Sequence, residues 1–209
     1  MTAELSHYVL SGGNLVVFLG PGVDPNWYNL HLIDNLGGSY LLPARLVKRI
    51  GNSVSKAVGY QLTDLDLGHP AFKLFNQEGN GDPGKVRIFE FYQMEANNSA
   101  FVLGRLSHGL PAIIEERRGE GRVMLISFTA DTQWSDWPLK PTLLPFLHQV
   151  VLGMLGKHGL GCDSLLPGIP VSVVLREKGL SKVVLQPPSG QAQELPIRRE
   201  GSGLLNFST

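Results

Sequence analysis

Two apolar runs limit what this chain can become. Residues 14–19 read NLVVFL and residues 123–128 read VMLISF. Continuous, β-branched runs of this length are the mark of strands covered on both faces. Both are therefore expected to be central strands. The first follows a segment of helical spacing over 1–11, which Gly12-Gly13 ends. It runs into Gly20-Pro21-Gly22, and Asp24 then stands before Pro25, an N-cap followed by proline at the first helical position. The spacing carries that helix through Trp27, Leu30 and residues 33–36, with Gly37-Gly38 closing it. Helix, strand and helix joined by tight glycine turns indicate an α/β domain.

The second run belongs to a hairpin. Residues 111–118 and 122–128 flank Gly119-Glu120-Gly121. Before it, 86–94 and 101–106 read as strands, 58–65 as a short strand, 70–75 as a helical turn and 77–84 as a polar loop. Residues 40–50, with Leu41, Leu42, Leu46, Val47 and Ile50, fit either a helix or irregular packing. After the hairpin, 141–155 reads as an amphipathic helix burying Leu143, Leu144, Leu147, Val150, Val151 and Met154. Residues 156–161 end it. Short strand patterns at 171–176, 182–186, 194–199 and 204–207 then suggest a partial β-sandwich. The domain reading is 1–161 for the α/β part and 165–209 for the β segment.

The chemistry available is narrow. Eighteen Lys+Arg balance eighteen Asp+Glu, which argues against a dedicated nucleic-acid surface. Cys162 is the single cysteine, so no intrachain disulfide and no multi-cysteine zinc site can form. None of the six histidines sits in an H-E-x-x-H arrangement; no metal or cofactor is expected. His69, before Pro70, belongs to a loop-to-helix junction, and His148 to the packing of the last helix. Ser53-Val54-Ser55-Lys56 matches S-x-x-K, but without supporting motifs a solvated loop is favoured. No stretch is long and apolar enough to span a bilayer.

Two places merit attention as binding sites. The loop 20–24 lies between a strand and a helix start, where α/β proteins take anions. It lacks lysine, however, and Asp24 would repel a phosphate. The second place is Thr129-Ala130-Asp131-Thr132-Gln133-Trp134-Ser135-Asp136-Trp137 at the end of the second apolar run. Asp131, Trp134 and Asp136 there could line a pocket for a hydroxylated ligand. The competing and favoured reading is that the two indoles plug the gap between sheet and helix while Asp136 or Ser135 caps.

The segments GGNLVVFLGPGVD, LLPARL, LDLGHPAF and GEGRVMLISFTADTQWSDWPLKPTLLPFLHQ resemble the class I glutamine amidotransferase-like domain of bacterial membrane proteins that also carry a von Willebrand factor A domain, the Bat or aerotolerance-type group. The resemblance covers roughly residues 1–158. It implies a three-layer, flavodoxin-like mixed sheet with a late antiparallel hairpin, and a place in a membrane-associated assembly with a protein partner. It also implies strands before residue 1, so that the chain starts and stops inside its folds. In that family's working members a cysteine sits at a position that falls here on Phe18, and a histidine at one that falls on Thr129. No catalytic residue is therefore expected. The expected role is a non-catalytic ligand- or partner-binding module. The rivals are a hydrolase or lyase acting on a sugar or acyl substrate through the 131–137 loop, and a structural oligomerisation domain. A symmetric dimer is expected, joined through an edge strand or through 165–209.

Overall fold

The computed structural model describes residues 2–34 and 40–155, together with strands 171–174, 182–185, 193–196 and 204–207. Two units divide the chain, Met1–Met154 and Leu155–Thr209, a boundary slightly earlier than the sequence suggests.

In the first unit, α1 (Thr2–Leu10) buries Ser6 and Val9 and ends at Gly12, whose φ of 106° only glycine adopts readily. β1 (Asn14–Phe18) follows, then α2 (Pro25–Asn29). Asp24 caps α2 by accepting a 3.0 Å bond from the Asn26 amide. The helix then widens into one π turn, Leu30–Asp34. Residues 35–39, where the sequence closes this helix, lie outside the described residues.

The remaining elements are β2 (Ala44–Gly51), β3 (Tyr60–Thr63), α3 (Pro70–Lys73), β4 (Arg87–Ile88), β5 (Glu90–Ala96), β6 (Phe101–Leu106), β7 (Pro111–Arg118), β8 (Gly121–Ile126) and α4 (Leu143–Leu155). A six-stranded mixed sheet runs in the order β1-β8-β7-β6-β3-β4. Its one parallel pair is β1 with β8, Val17 opposite Leu125. β2 and β5 form a separate antiparallel ribbon.

Several expectations are corrected. Residues 44–51 are a strand, neither helical nor irregular. A bulge between Leu46 and Lys48 breaks the alternation, so Val47 is exposed and no single period fits the segment. The run 86–94 is two strands rather than one. At Phe89 the backbone amide donates to the Trp134 carbonyl at 2.7 Å, and on either side β4 joins β3 while β5 joins β2. β8 is central as expected, with Val123, Met124, Leu125 and Ile126 sealed from solvent. Among the described residues β1 is instead an edge strand, every residue of it partly exposed. Its apolar residues pack against the core while, among the described residues, a strand lies on one side only.

The last helix, α4, buries Leu143, Phe146 and Val150, while Leu144, Val151 and His148 face solvent. Nearly every side of this helix is apolar, so periodicity cannot choose the inner one. An aromatic cluster chooses it: Phe146 packs 4.7 Å from Trp137 and 5.2 Å from Phe72. Among the described residues no helix is long and apolar enough to cross a membrane.

In the second unit, β9 (Val171–Val174) pairs antiparallel with β12 (Leu204–Phe207), and β10 (Lys182–Leu185) with β11 (Gln193–Pro196). All four predicted strands are present, as two separate ladders. Cys162 and residues 156–161 lie outside the described residues.

The contrast between β8 and β1 is measurable. Leu125→Ala removes a fully buried side chain and should cost about 2–5 kcal/mol. Val17→Ala, on the half-covered edge, should cost no more than about 1.5 kcal/mol. Urea denaturation of the two variants should preserve that order; equal losses would contradict the edge placement.

Candidate functional site

Because β1 and β8 run parallel, their carboxyl ends open on the same side. The loops that leave them, 19–24 and 127–136, emerge together, which is where open α/β sheets bind ligands. The loops touch: a Cβ at Gly20 would lie 3.3 Å from the Thr129 Cγ2. Tyr92, from β5, ties them to the ribbon. Its hydroxyl donates to the Val23 carbonyl at 2.7 Å, and its ring lies 5.6 Å from that of Trp134. Arg49, from β2, holds its guanidinium 5.8 Å from the Trp134 ring centre and bonds Glu90 at 2.7 Å. The other Glu90 oxygen accepts from the Ser53 amide at 3.0 Å.

This surface has a defined charge pattern. The Arg49 charge is matched by Glu90. Asp24 and Asp131 are both exposed, and each spends one oxygen on a local turn: Asp24 on the Asn26 amide, Asp131 on the Gln133 amide at 2.9 Å. Burial pushes the Tyr92 hydroxyl above its usual value of 10.0. The nearby Arg49 opposes that shift, while Glu90, Asp24 and Tyr28 add to it. The phenol therefore stays protonated and keeps donating to Val23.

The predicted residues separate into two groups. Asp24, Asp131 and Trp134 belong to this carboxyl-end region. Asp136 does not. It is buried, its Oδ1 accepts from the Arg87 amide at 2.8 Å, and its Oδ2 meets Arg87 Nε at 3.1 Å and Lys140 Nζ at 3.4 Å. It fastens β4 to the loop. The indoles are core groups: Trp134 and Trp137 are 2% and 1% exposed, and the Trp137 Nε1 donates to Thr142 Oγ1 at 3.0 Å. Neither offers a face for stacking on a ligand. Ser53 to Lys56 form the solvated loop expected of them, with the Lys56 ammonium over the Phe89 ring.

Phe18 is the last residue of β1 and packs against the core. Thr129 is 7% exposed and occupied twice, accepting from the Trp134 amide at 3.2 Å and donating to the Asp131 carbonyl at 3.4 Å. Among the described residues no three His, Cys, Asp or Glu side chains gather as a metal site. A cavity of about 270 Å³ lies elsewhere, beside β3, between Leu62, Leu65, Phe75 and the 81–84 turn.

Sequence reading passed over two buried, hydrogen-bonded carboxylates, Glu115 and Glu116 of β7. As neighbours on a strand they point to opposite faces. Glu115 receives the His69 Nε2 at 3.0 Å, while His69 Nδ1 accepts from the Ala71 amide at 3.2 Å. That second bond fixes the Nε2–H tautomer. Glu116 accepts from Tyr40 at 2.7 Å and from Ser99 at 2.5 Å, with Asn97 at 3.4 Å and Arg118 at 3.8 Å. The available signal was the pair of carboxylates directly after the apolar PAII in the hairpin arm 111–118.

No protein-family model and no curated protein matches this chain. Solved structures do. Cytoplasmic Protein STM3548 from Salmonella typhimurium aligns over 74% of this chain at 16% identity, with a TM-score of 0.54. Cytoplasmic Protein STM1381 from Salmonella typhimurium LT2 aligns over 73% at 14% identity, with a TM-score of 0.53. The chain spans 58% of the length of each. A β-galactosidase from Rahnella sp. R3 aligns over 98% of this chain and 30% of its own at 12% identity; its TM-score of 0.46 carries no argument. At these identities the likeness is one of fold alone, a mixed α/β domain.

Tyr40 and Tyr92 predict an alkaline loss of stability. Burial is the largest cause raising both hydroxyls above 10.0. The unfolded chain therefore loses these protons first, and stability present below pH 10.0 declines as pH rises through the folded values. Urea midpoints taken from about pH 8 to about pH 11 should fall, and should fall less steeply in a Tyr40→Phe/Tyr92→Phe variant. An unchanged slope would refute the assignment.

Proposed function

We propose that this chain is a non-catalytic binding module, using the carboxyl-end surface of β1 and β8 to hold a partner that presents cationic or hydrogen-bond-donating groups. The observation that carries the reading is the state of Phe18 and Thr129. At the two positions where an amidotransferase needs a thiolate and a base, one side chain is hydrocarbon packed on the core and the other is committed to two loop hydrogen bonds. A phenyl ring can neither attack an acyl carbon nor carry a proton, and a threonine hydroxyl does not replace the imidazole base that this chemistry needs. The exposed Asp24 and Asp131, with Arg49 neutralised by Glu90, give the surface a net negative character suited to such a partner.

The finer fold reading belongs to the same proposal: a three-layer amidotransferase-like domain related to that of the von Willebrand factor A-containing membrane proteins, serving a membrane-associated bacterial assembly. It is supported by the order helix, apolar strand, capped helix and late hairpin, and by the parallel β1–β8 pair. The rival, sugar or acyl chemistry through the 131–137 loop, is disfavoured because both indoles are buried and Asp136 is fully engaged.

Ammonia release from glutamine, and labelling by a glutamine-analogue electrophile, should both be absent. Turnover that disappears on substituting Phe18 or Thr129 would overturn the reading.

A further inference from the structure

The polar loop 77–82 leaves the 3-10 turn Leu74–Asn76, which continues α3. A side-chain amide ties the loop back to that turn. Asn80 Nδ2 donates to the Leu74 carbonyl at 2.9 Å and to Gln77 Oε1 at 3.4 Å. The chain beyond it is packed closely. A Cβ at Gly81 would lie 2.8 Å from Thr142 Cγ2, just before α4, and one at Gly84 would lie 3.3 Å from the Leu62 carbonyl of β3. The 81–84 turn also bounds the cavity beside β3.

The residue that makes this tie is also chemically exposed. Asn80 is the one asparagine of the chain that precedes a glycine. An asparagine deamidates when the backbone nitrogen of the next residue attacks its Cγ, and a glycine there has no Cβ to obstruct the approach. Gly81 is exposed, holds φ at 83°, and among the described residues donates to no backbone carbonyl. The Asn52-Ser53 pair is the opposite case. The Ser53 amide is held by Glu90 Oε2 at 3.0 Å, and Asn52 Oδ1 accepts from the Val54 and Ser55 amides at 2.9 and 3.0 Å. Nucleophile and side chain are both engaged there.

We propose that Asn80 is a self-deamidation site and that its conversion releases the 77–82 loop irreversibly. When the loop opens locally, the Gly81 nitrogen gives up its proton and bonds to Asn80 Cγ. The Cγ–Nδ2 bond breaks and ammonia leaves with that proton, which closes a cyclic imide. Water then adds to one of the two imide carbonyls and the carbon–nitrogen bond to it breaks, giving aspartate or isoaspartate. The reaction consumes one water and releases one ammonia, with no change of oxidation state. The product presents a carboxylate where Nδ2 stood. Gln77 can turn its amide round to face it, but the Leu74 carbonyl cannot, so acceptor meets acceptor and the tie does not re-form. Asp82, two residues on, adds like-charge repulsion.

The test uses the full chain, aged in mildly alkaline buffer and sampled by peptide mass spectrometry. The amide-to-acid mass change should accumulate at Asn80 at least tenfold faster than at Asn52. Amide hydrogen exchange of the aged chain should be at least tenfold faster at Gln77 and Asn80, with β7 and β8 unchanged. Asn80→Asp should show the same exchange from the outset. An Asn80 that persists while Asn52 converts overturns the proposal. So does an aged chain, or a folded Asn80→Asp variant, whose 77 and 80 amides exchange as slowly as in fresh protein. Should that variant fail to fold, the aged chain decides the question.

Discussion

The structure rests on two carboxylates that are neighbours in sequence and back to back in space. Glu115 and Glu116 sit on β7, inside the sheet, at 6% and 2% exposure. A carboxylate there is tolerable only when paired and hydrogen-bonded, because removing the partner of a buried charge costs about 3–5 kcal/mol. Each one therefore dictates what covers its face. Glu115 calls for a donor at His69 and so docks the Asp66–Asn76 stretch, including α3. Glu116 gathers Tyr40, Asn97, Ser99 and Arg118, and so fixes the chain entering β2 and the β5–β6 turn. Arg118 adds a guanidinium 3.7 Å from the centre of the Tyr40 ring and a bond to the Tyr40 carbonyl. Apolar pairs could bury similar area, but they would not specify which segment lies on which side.

The loop after β8 solves a different problem. It must cross from the sheet to α4 while filling the space between them. Trp134 and Trp137 do the filling, against Tyr92 on one side and Phe128 and Phe146 on the other. The backbone of the loop is then used as a strand: the Trp134 carbonyl takes the Phe89 amide, and Ser135 bridges Ile88. Asp136 completes the join through Arg87. The density of polar residues that makes this stretch resemble a pocket is thus mostly a device for satisfying buried backbone groups. The exposed polar side chains of the loop are those of its bend, Asp131, Thr132 and Gln133.

Legibility in the sequence followed physical range. Local signals held up: the Asp24–Pro25 helix start, the 119–121 hairpin, the helical turn at Pro70, the strand expected over 58–65 and found at 60–63, the strand at 101–106, and those of the second unit. What was hidden depended on partners far along the chain. Nothing near Phe89 says that its amide will be taken by Trp134, so the strand break there was invisible. The apolar run of β1 is the same whether the strand is central or terminal. The all-round apolar α4 could not reveal its inner face before the aromatic cluster was known. Asp24, Asp131 and Trp134 lie together at the carboxyl ends of β1 and β8, and Tyr92, Arg49 and Glu90, which tie that region together, come from a ribbon the sequence did not show.

The two halves of the sheet also differ in how firmly they are specified. From β7 outward to β4, strand position is enforced by the hydrogen bonds that Glu115 and Glu116 accept, by Asp136 and by the aromatic layer. On the other side β1 is held by one parallel neighbour, by the Asn14 side chain, which accepts from Arg122 and donates to Met154, and by the Tyr92 bond to Val23. Few of these contacts are sealed from water, so local opening there is cheaper than in the core. A strand or partner that engages β1 or the 19–24 loop would do so without disturbing the carboxylate clamps on β7. The least specified part of the fold is for that reason the part best suited to recognition.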